Sequence, residues 1–371
     1  MKELAILGRL LRGRLDFSYD RIVHRRENLR PRQAINYAHS RIEARLRRAN
    51  PSSYPIGLQL EPTTHCQLNC TYCPRQRAAK DEPRHMAWEN FERLMKEIGP
   101  HLIAVALWQW GEPLLHPRIA DMVALAHELG VMTMISTNGQ FEPGSADVSG
   151  LIEAGLDLII VSVDGASQGA YEKFRRGGSV ARAHGFIREL CEGKKRLGRD
   201  KPVVNVRIIA TSENEREITV ARDMAAACGA DLFSVKSVSL YYDGDPGNPA
   251  LPADRSLRSY QYQGPDQAST YAAMPNRCIK TWSWPTLRQD GTLLLCECDH
   301  DMRYSLGNVF TTGSFRRVWR GEKACTLRRY FTGHGPVNLE FCLRCRYKLD
   351  DAIRSYEWLK AGGTLRRSAG L

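Results

Sequence analysis

The stretch Ile56-Gly-Leu-Gln-Leu-Glu61-Pro-Thr-Thr-His-Cys66-Gln-Leu-Asn-Cys70-Thr-Tyr-Cys73 decides how the rest of the chain is read. It opens with a short apolar run that suits a buried strand. It closes on three cysteines spaced C-x3-C-x2-C, in the loop that follows. Three thiolates this close reach three corners of one [4Fe–4S] cube, because such clusters are normally held by cysteine. The fourth iron then has no protein ligand, and a substrate can coordinate there. A zinc site would want a fourth Cys or His to close its tetrahedron. His65 stands beside the motif, so zinc is the competing reading.

Outward from this stretch the strand signal recurs. Apolar runs at Ile103–Trp110, Val131–Ser136, Leu156–Val163, Val203–Ala210 and Leu232–Val238 join Ile56–Glu61. Helix-length amphipathic segments lie between them, near Trp88–Ile98, Arg118–Leu129, Asp147–Ala154, Ala181–Arg196 and Glu217–Cys228. Such alternation gives a parallel sheet with covering helices. Six units are fewer than the eight of a closed barrel, so the expected fold is α/β, an open partial (β/α)6 barrel. Its chemistry belongs at the carboxyl ends of the strands. There the sequence places Trp110-Gly111-Glu112-Pro113, Ser136-Thr137-Asn138-Gly139 and Ser162-Val163-Asp164-Gly165, while Asn205 and Arg207 alternate onto one face of the fifth strand. Each stretch alone is ordinary turn sequence. Their order at successive strand ends is what singles them out.

The cysteine motif, with Tyr72 before its last cysteine, resembles the signature of the radical S-adenosylmethionine superfamily. The resemblance covers roughly residues 55–240. It implies that the open iron binds the amino and carboxylate groups of S-adenosylmethionine, and that reduction releases a 5′-deoxyadenosyl radical to abstract hydrogen from a substrate. Gly111, Glu112 and Pro113 are similar to the family's Gly-Gly-Glu-Pro, whose Glu contacts the cofactor amino group; Trp110 replaces the first glycine. By the same resemblance Tyr72, Ser136, Asn138, Ser162 and Asp164 fall among the cofactor-binding positions, the last two toward the ribose. Arg207 is placed to meet the cofactor carboxylate or an acidic substrate. An electron donor such as flavodoxin or ferredoxin is implied as partner.

A second cysteine group lies at Cys278, Cys296, Cys342 and Cys345. Four cysteines, two of them as C-x2-C, suit a closed zinc site or a fully liganded [4Fe–4S] cluster. The pattern C-x12-G-x4-C, Gly307-Asn308-Val309, Trp319 and the closing C-x2-C resemble SPASM and twitch domains. That resemblance implies one auxiliary [4Fe–4S] cluster, acting as electron acceptor or donor, since no cysteine follows Cys345. Cys298 and Cys325 are read as spare thiols, with Cys298 the stand-in ligand. Cys191 and Cys228, each alone in a helical segment, read as small buried hydrophobes.

The resulting layout has a basic helical extension at 1–54, the core at 55–240, a linker or lid at 241–275, the auxiliary domain at 276–350, and a C-terminal helix with basic tail at 351–371. Residues 1–50 hold 13 Lys and Arg against five acids, out of a net charge of +12. Such an arm suits an acidic partner or anionic surface, or else a solvated helix face. No run approaches the length of a membrane span and no signal-peptide pattern is present, so a cytoplasmic protein is expected. The leading function is radical oxidation or epimerisation of a small polar substrate, a sugar or cyclitol alcohol. The alternative is maturation of a ribosomally made peptide, with about 54 residues before the core counting against a leader-binding domain. A non-enzymatic zinc module binding nucleic acid leaves the strand-end motifs unexplained. Lys236, Tyr241, Tyr242 and Asp243 are the candidate bases.

Overall fold

The computed structural model describes residues 8–76, 84–239, 251–258, 278–333, 339–343, 345 and 353–360. Tyr241, Tyr242 and Asp243, most of the linker and the basic tail lie outside them.

The six expected parallel strands are present: β3 (Gly57–Leu60), β4 (Ala104–Leu107), β5 (Met132–Thr137), β6 (Leu158–Ser162), β7 (Val203–Ala210) and β8 (Leu232–Ser237). They pair in sequence order, in parallel, within an open sheet. Helices over Trp88–Ile98, Ile119–Glu128, Val148–Glu153, Val180–Arg196 and Ile218–Ala227 lie at the expected places. Strand residues alternate between two cores. Val105, Leu107, Ile135, Ile159 and Val161 pack with the helices, while Ala104, Ala106, Met132, Met134, Leu158 and Ile160 face the opposite side. Cys191 and Cys228 sit in the helix-side core, as expected.

The sheet extends beyond the six strands at both edges. Beside β3 lie β9 (Thr286–Leu287), β10 (Thr292–Leu294) and β11 (Gly307–Asn308). β9 runs parallel to β3, and the half-buried Arg288 pairs with the buried Glu61 at 3.0 Å across the junction. A Cβ on Gly57 would come within 2.0 Å of the Trp284 ring, so only glycine admits this seam. At the other edge β12 (Ile353–Trp358) runs antiparallel to β8. This corrects the expected C-terminal helix: Ile353-Arg-Ser-Tyr-Glu-Trp358 has β-branched and aromatic residues and pairs along the β8 edge.

The N-terminal extension is likewise not simply helical. After a short helical turn, β1 (Leu15–Tyr19) and β2 (Ile22–Arg26) form an antiparallel hairpin, followed by one helix, Pro31–Arg45. The two loop residues Asp20 and Arg21 have φ of 49° and 60°, as a type I′ turn requires. Leu15 and Phe17 pack on the sheet face opposite the helices. At the open end of the hairpin, Arg26 donates to Gly130 O at 2.7 Å and lies 3.9 Å from Asp157, both just ahead of strands. At the tip, the Tyr19 ring lies 6.0 Å from Trp108 and 5.3 Å from Trp284. The hairpin therefore runs along the inner face from the amino ends of the strands to their carboxyl ends. Several basic residues of the arm make intramolecular contacts, most of them at the surface. Arg9 and Arg25 bind Asp16, Arg30 donates to Glu128 O, and Arg47 donates to the carbonyls of Phe331 and Gly333.

Candidate active site

A cavity of about 220 Å³ opens at the carboxyl ends of the strands. Cys66, Cys70 and Cys73 line it, as do Tyr72, Gly111, Glu112, Ser136, Asn138, Ser162 and Arg207 from the sequence reading. Pro113 and Asp164 do not.

The cysteine loop is held from two sides. Thr71 N donates to Phe174 O at 2.9 Å and Thr71 Oγ1 to Lys173 O at 2.6 Å. On the other side Glu112 N donates to His65 O at 2.7 Å. Gly111 makes this approach possible, because a Cβ there would sit 1.9 Å from the Thr63 carbonyl oxygen. Two side chains point donors at the sulfurs: Asn138 Nδ2 at 3.7 Å from Cys66 and Arg175 Nη1 at 3.8 Å from Cys70. Burial pushes the Cys66 thiol up to about 11 and the Cys73 thiol up to about 12. Binding an iron–sulfur cluster here would release those protons, since thiolate is the ligand form.

Asp164, expected toward the ribose, does not line the cavity, and its contacts here are with protein groups. Its fully buried carboxylate binds Arg175 Nε at 2.6 Å and accepts from Ile209 N at 2.6 Å. It positions Arg175, which the sequence reading did not single out. Glu112 is buried and accepts from Thr137 Oγ1, Asn138 N and Leu114 N at 2.8, 2.7 and 3.1 Å. Burial nevertheless outweighs these donors and raises its carboxyl to about 7. A ligand ammonium would find there an anchored carboxylate whose ionisation it favours.

The far wall of the cavity comes from the C-terminal segment and the hairpin. Glu297, Cys298 and His300 line it, with Tyr19, Asp20 and the expected Lys236. Trp110, the residue that departs from the family's glycine, lies 5.0 Å edge-on to His300 and so joins the two parts. Cys278, Cys296, Cys342 and Cys345 converge behind this wall. Hydrogen bonding to Cys298 and burial push the Cys296 and Cys345 thiols up. Cys298 thus belongs with the four predicted cysteines and also faces the cavity. Cys325 does not join them; it lies in the helix Glu322–Arg329 and donates to Arg320 O at 3.5 Å. Among the described residues no three His, Cys, Asp or Glu side chains close on a point as a single ion requires.

Among the described residues no helix is long and apolar enough to cross a membrane. The profile of the radical SAM superfamily matches residues 60–224, and that of an iron–sulfur cluster-binding domain, SPASM, matches residues 278–346. The chain is 28% identical over 184 residues to the tungsten-containing aldehyde ferredoxin oxidoreductase cofactor-modifying protein of Pyrococcus furiosus, covering 49% of this chain and 51% of that one. The chain thus spans about half the length of that relative. It is 24% identical over 311 residues to the PqqA peptide cyclase of Ruegeria pomeroyi, covering 78% of this chain and 80% of that protein. Its fold is similar to that of Streptococcus suis SuiB bound to precursor peptide SuiA, with a TM-score of 0.61 at 18% identity, covering 94% and 82% of the two chains.

Proposed function

The chain belongs to the radical SAM superfamily and carries a SPASM-type iron–sulfur domain, and from this premise we propose that it matures a ribosomally made peptide. Its cofactors are S-adenosylmethionine and [4Fe–4S] clusters, an auxiliary cluster among them. When bound, they supply a 5′-deoxyadenosyl radical that takes hydrogen from the substrate and a second centre able to pass an electron.

The observation that carries the peptide reading is the extent of the likeness to PqqA peptide cyclases. It covers 72–79% of this chain, more than the core alone spans. This supports a peptide over the sugar or cyclitol alcohol that the sequence suggests first. The residues then divide the work. Cys66, Cys70 and Cys73 hold the first cluster, with Asn138 and Arg175 donating toward its sulfurs. Glu112 binds the cofactor ammonium. Cys278, Cys296, Cys342 and Cys345, with Cys298 beside them, hold the auxiliary cluster across the cavity.

The test uses the anaerobic, cluster-loaded protein with S-adenosylmethionine and a reductant. Candidate precursor peptides are offered in one set of reactions, sugar and cyclitol alcohols in another. Peptide losing hydrogens in step with 5′-deoxyadenosine is the expected result. Oxidation of an alcohol, with every peptide returned unchanged, would overturn the reading.

A further inference from the structure

The hairpin at residues 15–26 lies outside both matched domains, yet its tip reaches the cavity. There Asp20 and Arg207 form an ion pair at 2.6 Å in which both side chains are nearly fully buried. Arg207 spends a second nitrogen on Ser234, with Nε donating to Oγ at 3.1 Å. Its third nitrogen, Nη2, is buried and has no hydrogen-bond partner among the described residues. The residue is 5% exposed and lines the cavity. An unsatisfied donor on a buried cation is costly, and a ligand oxygen delivered to it recovers that cost.

Further charged side chains surround the pair. Arg207, Lys236, Lys280 and Glu297 all act on Asp20. Lys280 and Glu297 pair at 3.2 Å, as Asp20 pairs with Arg207. The cysteine loop, Glu112 and Asn138 follow β3 to β5, and Ser162 ends β6 as the register partner of Arg207 on β7, with Lys236 one strand further on β8. Arg207 thus borders the cofactor residues and stands on the side of them that leads toward β8 and the hairpin tip.

We propose that Arg207, held in place by Asp20 and Ser234, is a subsite for a carboxylate of the substrate. Under the peptide reading, on which this rests, the ligand is an acidic side chain or a chain terminus. Asp20 occupies one edge of the guanidinium, and the incoming carboxylate takes the remaining Nη2 with Lys236 nearby, a charge-assisted geometry. Asp20 is then a positioning residue drawn from a segment that neither matched domain includes.

The probes are acetyl-Gly-Glu-Gly-amide, its Gln counterpart and gluconate, measured by equilibrium dialysis against the cluster-loaded protein with S-adenosylmethionine present. The glutamyl peptide should bind at least about tenfold more tightly than the glutaminyl one. Arg207→Gln should erase that preference while leaving cofactor affinity within about twofold. Equal binding of the two peptides, or retention of neither, would sink the proposal. So would a loss of cofactor affinity in Arg207→Gln, which would give this arginine to the cofactor carboxylate. Asp20→Asn keeps the shape of the hairpin tip and removes the competing anion, so it should tighten glutamyl binding about threefold or more. An unchanged or weaker preference there counts against the subsite even if Arg207→Gln fails to fold. Gluconate binding better than the peptide, with the same dependence on Arg207, would support the carboxylate subsite while overturning the peptide reading.

Discussion

The two cysteine groups reach their geometry by different routes. The first places three thiols within the eight residues Cys66–Cys73, in one loop after one strand. The second gathers thiols spread from Cys278 to Cys345, using strands added to the edge of the core sheet and a short helix, Glu340–Leu343. The first is built locally and faces the cavity with donors aimed at its sulfurs. The second is assembled through tertiary packing and shows the cavity one thiol, Cys298. Under the proposed assignment, local assembly would leave one iron free for a ligand, and assembly from several segments would supply enough thiols to close every corner.

The sharpest way to break this comparison is to remove either set. Replacing Cys66, Cys70 or Cys73 by Ala should abolish reductive cleavage of S-adenosylmethionine, read as 5′-deoxyadenosine release. The triple variant should still hold about four irons, with an electron paramagnetic resonance signal that S-adenosylmethionine does not alter. Conversely, the pair Cys342→Ala and Cys345→Ala should retain cofactor cleavage. Zinc in place of iron in the triple variant would reduce the second group to a structural clip.

Next in size is Gly111→Ala. The added Cβ would meet backbone atoms of Thr63 at 1.9 and 2.7 Å, and backbone cannot swing aside as a side chain can. A loss of roughly 1–3 kcal/mol or more is expected, as for an overpacked core, with a lowered melting temperature and poorer iron retention in the first site only. Normal iron at both sites would mean that the two loops are not interlocked.

The smallest effect belongs to Glu112→Gln, which keeps the shape and removes the charge. Cofactor affinity should fall by about tenfold to a hundredfold, the value of a charge-assisted hydrogen bond of about 1.5–3 kcal/mol. The sign with pH follows from the raised carboxyl. The ammonium binds the ionised form, so affinity in the parent protein should be full above about 7 and decline as pH falls through it. The Gln variant should be flat across that range; a parallel decline would assign the titration to another group.

What could be read in advance follows the same local rule. The six parallel strands, their helices and the C-x3-C-x2-C loop depend on neighbours in sequence, and each was legible as a pattern. The role of Asp164 was not, because its partner Arg175 is set by a turn whose path depends on the fold. The hairpin also escaped: Leu15-Asp-Phe-Ser-Tyr19 alternates, but its tip is Asp20-Arg21, without the glycine that usually marks such a turn. The strand character of β12 depends on the exposed edge of β8, which residues 353–358 do not reveal by themselves. Cys298 required the tertiary gathering of all five thiols before it could be placed.

The hairpin also sets a problem in time. Its residues are synthesised early, yet Arg207, the partner of Asp20, follows 187 residues later. Such sequence-distant contacts slow folding, because the loop between them must close before the contact returns any stability. The hairpin strands, left as a pair, are too small to persist in water. They must therefore stay unprotected until β4 to β7 provide a face, and the inner lining of the barrel is among the last parts to be completed. In folding kinetics, substitutions at Leu15 or Phe17 should accordingly speed unfolding far more than they slow folding.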